Sequence, residues 1–440
     1  MSLTDFLVDI STISFLLFLA FIIRRKVFFM QKYFLPASLI AGIIGLLLGP
    51  QVLGLVSPVC IRFSDSISQW TGFFFAFIFT TSFLGTSAKK LGRPALSSIC
   101  QIGVIHMMQI CVGLLIAFGL SRFMDVPYAI GSLPVSGFYG GHGSAGVVGE
   151  GFKALGWDDA MGIAMTYATV GMFMAVLGGM VITNMGAKRG VTNRRMDSNF
   201  LTVSQKTGIV PEEERKSIGT AIVDNAVMDP MAFQFMIVGV IIAISYVLRN
   251  AIIKVIPFWS KIPLYAMCLF MGAILGNIIS KTKYNQYIDR NSMKRISGVA
   301  VEYAVTSAIV TIKISVLATY LVPIVVTSLV LTVLTAAVSI FLLKRWYGEG
   351  WFETAVGCFG LTTGSMATGL LLCRVLDPDN ETLAAESVTA ASTMGNFLQQ
   401  PYNTLGPILL MSNPVTYTWI SVGLLAAFLV VGEVLFGRRK

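Results

Sequence analysis

The chain has 440 residues, 55% of them hydrophobic and only 12% charged, with a formal net charge of +10. A soluble domain carries about 25% charged residues, so a chain this apolar takes the bilayer as its solvent and is not a water-soluble globule. The basic residues lie between the apolar runs rather than on one polar domain, which excludes a nucleic-acid partner and fits the positive-inside rule.

The first apolar run, 3–23, has neither a basic leader nor a cleavage site and reads as a retained span. Spans follow at 34–55, 67–86 and 95–120, each near the roughly 20 residues a membrane helix needs. Thr80 and Thr81 lie deep in the third of these. The stretch 127–152 breaks the pattern, being apolar but full of glycine and small polar residues. Irregular backbone is tolerated at membrane depth only where it is buried in protein or lines a cavity, so the stretch reads as a re-entrant hairpin. In its sequence GSLPVSGFYGGHGSAGVVGEG, Gly140, Gly141 and Gly143 surround His142, with Ser136 and Ser144 alongside. Glycine lets backbone approach a ligand closely. Exposed N–H groups then suit a carboxylate, and turned carbonyls suit a sodium ion. The same glycines would also serve close helix packing, and His142 reads either as a proton shuttle or as a structural histidine.

A span at 157–183 closes the first half, and the polar stretch 184–230 reads as a linker. It holds Lys188, Arg189, Arg194 and Arg195, then the run from Pro211 through Glu212, Glu213, Glu214, Arg215 and Lys216. Spans resume at 231–248, 262–280, 297–314 and 315–343, with Thr306 and Ser307 deep in the third of these and Glu302 and Lys313 near its ends. The second interrupted stretch, 351–376, reads as another re-entrant hairpin. Its sequence GCFGLTTGSMATGLLLCR places Thr362, Thr363, Ser365 and Thr368 around Gly360, Gly364 and Gly369, and Arg374 closes it. Sodium is a hard ion, and neutral hydroxyl and carbonyl oxygens hold it without the cost of burying a carboxylate. Each threonine alternatively bonds back to its own helix. The span 382–411 carries Asn396, Gln399, Gln400 and Asn403 as one polar stripe, which must face protein or a water-filled cavity. A last span, 416–436, leads into a basic tail.

With the N-terminus outside and the C-terminus cytoplasmic, about 25 of the 32 lysines and arginines fall on the cytoplasmic side, among them Lys89, Lys90 and Arg438, Arg439, Lys440. The cysteines Cys60, Cys100, Cys111, Cys268, Cys358 and Cys373 form no CxxC pair and read as free thiols. With His106 and His142 the only histidines, no transition-metal site is expected, nor any resident cofactor. No HExxH, GxSxG or midplane aspartate pair supports an enzyme.

An internal repeat organises these pieces. Pro36, Gly45 and Gly49 in LPASLIAGIIGLLLG align with Pro263, Gly272 and Gly276 in IPLYAMCLFMGAILG. Thr81, Ser82 and Thr86 align with Thr306, Ser307 and Thr311, Gly143 and Ser144 with Gly364 and Ser365, and Thr169, Gly171 and Phe173 with Thr393, Gly395 and Phe397. The four matches keep one order and nearly one offset. Each half then has five spans and one hairpin, and an odd number of spans inverts the second half relative to the first. The expected fold is therefore all-α and integral to the membrane, with about 11 transmembrane helices and two re-entrant hairpins in an inverted repeat. The halves are 1–183 and 231–411, the linker 184–230, and 412–440 an added helix and tail. Inverted repeats with interrupted segments mark secondary transporters, whose sites lie where those segments meet. A channel is the competing class, since hairpins also build selectivity filters.

On the motifs SGFYGGHGSAG, AMTYATVGMFMAVLGGMVI, FFFAFIFTTSFLG and IPLYAMCLFMGAILGN, the chain resembles the bacterial sodium/glutamate symporters, and more distantly the 2-hydroxycarboxylate transporters. The resemblance runs from about residue 34 to 411 and implies sodium-coupled uptake of glutamate or a similar dicarboxylate. It also implies elevator-type motion, a homodimer and a place in the bacterial inner membrane. The expected substrate contacts are Ser136, Gly140, Gly141, His142, Gly143, Ser144, Thr362, Thr363, Gly364, Ser365 and Asn396. The sodium candidates are Thr80, Thr81, Gly140, Thr306, Ser307, Thr363 and Thr368. The family often has threonine where Ser144 stands, and the second hairpin departs from its best-known members; both departures bear on the substrate more than on the fold.

Overall fold

The computed structural model describes residues 3–32, 35–64, 66–85, 92–192, 208–215, 217–256, 259–260, 263–377 and 381–437. Thr86, Lys89, Lys90, Arg194, Arg195, Lys216, Arg438, Arg439 and Lys440, named above, lie outside the described residues. The helices are α1 (Leu3–Lys26), α2 (Phe28–Lys32), α3 (Ala37–Leu47), α4 (Ile67–Ser82), α5 (Arg93–Leu120), α6 (Leu133–Lys153), α7 (Ala160–Lys188), α8 (Pro230–Val255), α9 (Leu264–Ser280) and α10 (Arg290–Val310). They continue as α11 (Ile314–Thr319), α12 (Leu321–Trp346), α13 (Trp351–Thr363), α14 (Met366–Leu376), α15 (Ala384–Ser412) and α16 (Pro414–Phe436).

Local chemistry sets many of these ends. Asp229 accepts from Ala232 N ahead of Pro230 at the start of α8, Asp289 from Ser292 N at the start of α10, and Asn413 from Thr416 N ahead of Pro414 at the start of α16. Each is an N-cap that satisfies a donor the helix leaves open. Two expected spans differ. The run 34–55 is helical only to Leu47, because Gly49 precedes Pro50 and a residue before proline avoids the helical region. The run 315–343 is split between α11 and α12, because Pro323 lacks the N–H that would have reached the carbonyl of Thr319.

Among the described residues, six helices are long and apolar enough to cross a membrane: Thr4–Lys26, Arg93–Leu120, Ala160–Lys188, Pro230–Val255, Leu321–Trp346 and Pro414–Phe436. Ala37–Leu47 and Leu264–Ser280 are apolar but shorter. The 29-residue α15 falls outside the six; it carries the amide stripe together with Pro401 and Pro407.

The chain forms two compact units, each drawing on both halves of the sequence. One holds α1, α3, α4, α8, α9 and α10. Here a Cβ at Gly272 of α9 would stand 2.9 Å from the Thr80 carbonyl of α4, and one at Gly276 would stand 2.8 Å from that of Phe83. Conversely, α3 seats Gly42 and Gly45 against Ile309 and Val310 of α10. Small residues thus let backbones meet where no water-driven force favours association. The Arg290 guanidinium donates to the carbonyls of Thr81 (2.9 Å) and Leu84 (2.8 Å), closing the end of α4.

The other unit holds α2, α5 to α7 and α11 to α16. The helix α5 is largely buried, and its amides reach α12: Gln101 Nε2 donates to Ser339 Oγ at 3.1 Å and Gln109 Nε2 to Thr335 Oγ1 at 2.9 Å. On the same unit, α16 lies against α5 and α12, its Glu433 paired with Arg345 and accepting from Trp346 Nε1 at 3.1 Å.

Candidate functional site

Both interrupted stretches are broken helices, and both lie in this second unit. In α6 the break is Gly141, at φ 61° and ψ −160°, a combination open in practice to glycine alone. The contacts with α7 trace the path of the chain. Gly137 lies against Ala168, Phe138 against Gly171, His142 against Thr169 and Gly149 against Met161. The second arm therefore runs antiparallel to α7, and the first arm doubles back beside it.

The second break separates α13 from α14. Gly364 follows the end of α13 at φ −131° and ψ −77°, and Ser365 is extended. Ser365 Oγ caps α14 by accepting from Thr368 N at 3.3 Å and shares a hydrogen bond with Thr368 Oγ1 at 3.1 Å. The arms pack antiparallel, Gly357 against Cys373 and Gly360 against Gly369.

The two tips meet. A Cβ at Gly141 would lie 3.4 Å from the carbonyl oxygen of Gly364, and one at Gly171 of α7 would lie 2.5 Å from that of Thr363. The amide of Gln109 braces the second tip, donating to the Thr362 carbonyl at 2.9 Å. Around the first tip, His142 Nε2 is 3.1 Å from Thr169 Oγ1, and Gln400 Nε2 donates to Ser144 Oγ at 3.3 Å. Among the described residues, two oxygens here have no protein partner: Oγ1 of the fully buried Thr363 and Oε1 of Gln400.

Ser136, Gly140, Gly141, His142, Gly143, Ser144, Thr362, Thr363, Gly364, Ser365 and Thr368 are thus carried by two abutting breaks. Two of these hydroxyls return to their own helices, Ser136 to the Leu133 carbonyl and Thr362 to that of Cys358. The amide stripe of α15 divides. Gln400 faces the first tip, and Asn396, one turn earlier on the same side, is exposed. Gln399 and Asn403 are buried on another side, where Gln399 contacts His106 of α5. Thr80, Thr81, Thr306 and Ser307 belong to the other unit, and each hydroxyl donates to a carbonyl of its own helix. Arg374 is exposed in the last turn of α14, and Lys313 is exposed beyond the end of α10.

Gln109 and Thr169 are contacts that the motif reading passed over. The signal for Gln109 was available as an amide inside an apolar run, which requires a protein partner at membrane depth.

No group of three or more His, Cys, Asp or Glu side chains able to hold a metal occurs among the described residues. Besides the His142 imidazole, what the breaks offer at their tips is neutral and dipolar. At the second, the carbonyl end of α13 and the N–H end of α14 come together, and helix ends carry roughly half a charge of opposite sign. One break therefore presents groups suited to a cation and groups suited to an anion.

No individual curated protein matches the chain. The family model of the sodium/glutamate symporters matches residues 4–371, which takes in both breaks and stops short of α15 and α16. By that match, over most of its length, the chain belongs to the sodium/glutamate symporter family.

Proposed function

We propose that the paired breaks are the transport site of this sodium-coupled carrier and that it imports glutamate, or a similar small acidic solute, by alternating access. The observation that carries this reading is the contact of the two tips, Gly141 against the Gly364 carbonyl. The substrate carboxylates take the N–H ends of the second arms and the side chains of His142, Ser144 and Ser365. Sodium takes neutral oxygens. Thr363 Oγ1, buried without a partner, is the hydroxyl best fitted to it, with Thr368 and the backbone at Gly140 beside the same junction. Thr80, Thr81, Thr306 and Ser307, the other sodium candidates, lie in the other compact unit, where each hydroxyl donates to a carbonyl of its own helix and keeps its oxygen lone pairs.

An inverted repeat accounts for the pairing. Gly171 lies against the tip of the second break, and its repeat mate Gly395 lies against Tyr139 in the arm of the first. Each half thus lends the helix that supports the other half's break, as expected when two re-entrant segments enter from opposite faces. The breaks move as one body, elevator fashion, in a homodimer of the bacterial inner membrane with the N-terminus outside. Entry of one net positive charge per cycle draws about 2.3 kcal/mol from each 100 mV of membrane potential.

Uptake of labelled glutamate into proteoliposomes, with and without an inward sodium gradient, tests the reading. Accumulation is expected only with the gradient. Equal uptake in both conditions refutes sodium coupling, and gradient-driven uptake that survives replacement of Gly141 by a β-branched residue refutes the placement of the site.

A further inference from the structure

The unit without the breaks carries a groove of about 350 Å³ between α1, α4, α8 and α10. Phe6 of α1, Phe73, Phe74 and Phe77 of α4 and Phe235 of α8 wall it, and among the described residues Arg295 of α10 is the one charged side chain that lines it. The rings touch in series: Phe74 and Phe73 at 5.2 Å between centroids, Phe73 and Phe77 at 5.3 Å, Phe77 and Phe235 at 5.3 Å. Phe73 and Phe235 are each 50% exposed, so the groove is open along its flank. Two of its helices, α1 and α8, are long and apolar enough to span a membrane and are largely unburied, so that flank meets acyl chains rather than water. The charge lies at one end, because α10 runs antiparallel to α4. Phe74 packs on Tyr303, Phe77 packs in one cluster with Met293 and Ile296, and Arg290, at the start of α10, closes the end of α4. Arg295 follows Arg290 by five residues, about 7.5 Å along the helix. It is exposed, and among the described residues it makes no hydrogen bond or ion pair.

We propose that this groove is a binding site for an anionic phospholipid of the surrounding bilayer, with one acyl chain along the phenyl rings and the phosphate on the Arg295 guanidinium. An arginine this far along a membrane helix needs an anion or water at its head, and its planar fork matches a phosphate. Packing of the acyl chain discriminates little by itself, because lipid tails are as apolar as the groove. The choice of lipid therefore falls to the head. A zwitterionic lipid brings its own ammonium beside the phosphate, and that cation repels Arg295, so a lipid of net negative charge is preferred. The volume suits a chain rather than a single ring: an apolar cavity of about 150 Å³ accepts benzene, and the groove is more than twice that.

The test is native mass spectrometry of the purified full-length protein, released from micelles after incubation with equal amounts of phosphatidylglycerol and phosphatidylcholine of identical chains. Wild-type protein is expected to retain phosphatidylglycerol in preference to phosphatidylcholine. Arg295→Gln is expected to cut that preference at least about fivefold, and Val299→Trp, which fills the groove from an exposed position, to abolish retention. Lys254→Gln, in the last turn of α8 and outside the groove, should leave both unchanged. Thermal unfolding confirms that each variant is folded, and Arg295→Gln carries the test should Val299→Trp not fold. Equal retention of the two lipids by wild type, an unchanged preference in Arg295→Gln, or phosphatidylglycerol still held by folded Val299→Trp overturns the proposal; a change of oligomeric mass in that last case assigns the groove to a contact between copies of the chain.

Discussion

Replacing Gly171 by alanine puts the meeting of the tips to a direct test. Gly171 lies inside α7, where alanine would ordinarily stabilise the protein by about 0.5–1 kcal/mol. Here the new methyl would stand 2.5 Å from the Thr363 carbonyl oxygen, and ordinary contact begins at 3.4 Å. The second tip must therefore retreat by about 0.9 Å, the difference between those distances. Overpacking of this kind costs about 1–3 kcal/mol, which outweighs the helix gain. Displacement by about 1 Å is enough to lose roughly a hundredfold in a positioned reaction, and an ion held by oxygens on that tip should suffer in the same sense. The expected result is a sodium half-saturation in glutamate uptake raised at least about tenfold, equivalent to about 1.4 kcal/mol, with folded protein still recovered. Gly239→Ala is the control: nothing lies within 4 Å of a Cβ there, and it should leave transport unchanged. If Gly171→Ala takes up glutamate with the wild-type dependence on sodium, the tip does not hold the ion.

Thr363→Val removes the unpartnered hydroxyl at almost constant volume and should raise the sodium half-saturation about tenfold, whereas Thr362→Val, whose hydroxyl already bonds to Cys358, should shift it little; equal effects in the uptake assay would contradict the assignment. Gln109→Met keeps the volume and loses the bonds to Thr362 and Thr335, so the unfolding midpoint in detergent should fall by the equivalent of about 1–3 kcal/mol, with sodium affinity falling alongside. At Asp289, partial burial pushes the carboxyl up, but hydrogen bonds from Ser292 and from the backbone of Ser292 and Thr220 outweigh it and hold the carboxyl below its usual range. A depressed carboxylate stabilises the fold fully above its unfolded value of about 3.9, and that stabilisation is lost as pH falls through the folded value. Asp289→Ala should therefore lower thermal stability by about 1 kcal/mol near neutrality, and the gap between variant and wild type should close in strongly acid buffer.

Both breaks were legible in the sequence because their cause is local. A run such as GFYGGHGSAG cannot continue a regular helix at a glycine with positive φ, and TTGS supplies its own cap through Ser365. Span ends set by one residue, such as Pro230 after Asp229, were legible for the same reason. The partners of the breaks were not. Nothing within α5 says that Gln109 braces Thr362, 253 positions later, because that contact depends on how α5 and α13 pack rather than on either sequence alone. The amide stripe of α15 shows the limit of periodicity: Gln399 and Gln400 are neighbours in sequence and so turn to different sides, one to His106 and one to Ser144.

On the proposed function, the breaks serve a charged solute with little charge of their own. Buried carboxylates or lysines at these tips would have to be paired or neutralised, and each would cost several kcal/mol in a low-dielectric setting. A broken helix supplies polarity without an ionisable group, through carbonyls at one end and N–H groups at the next. Such fixed partial charges favour a cation and an anion bound together over either bound alone, because each ion screens the repulsion the other would meet from the opposite helix end. On this argument coupling is a property of the junction rather than of any one residue. Loss of a single hydroxyl should weaken sodium and glutamate together, and by linkage each ligand should raise the affinity for the other by the same factor. Equilibrium binding of glutamate to the purified carrier at several sodium concentrations measures that factor, and a glutamate affinity indifferent to sodium would refute the shared junction even if uptake itself were observed.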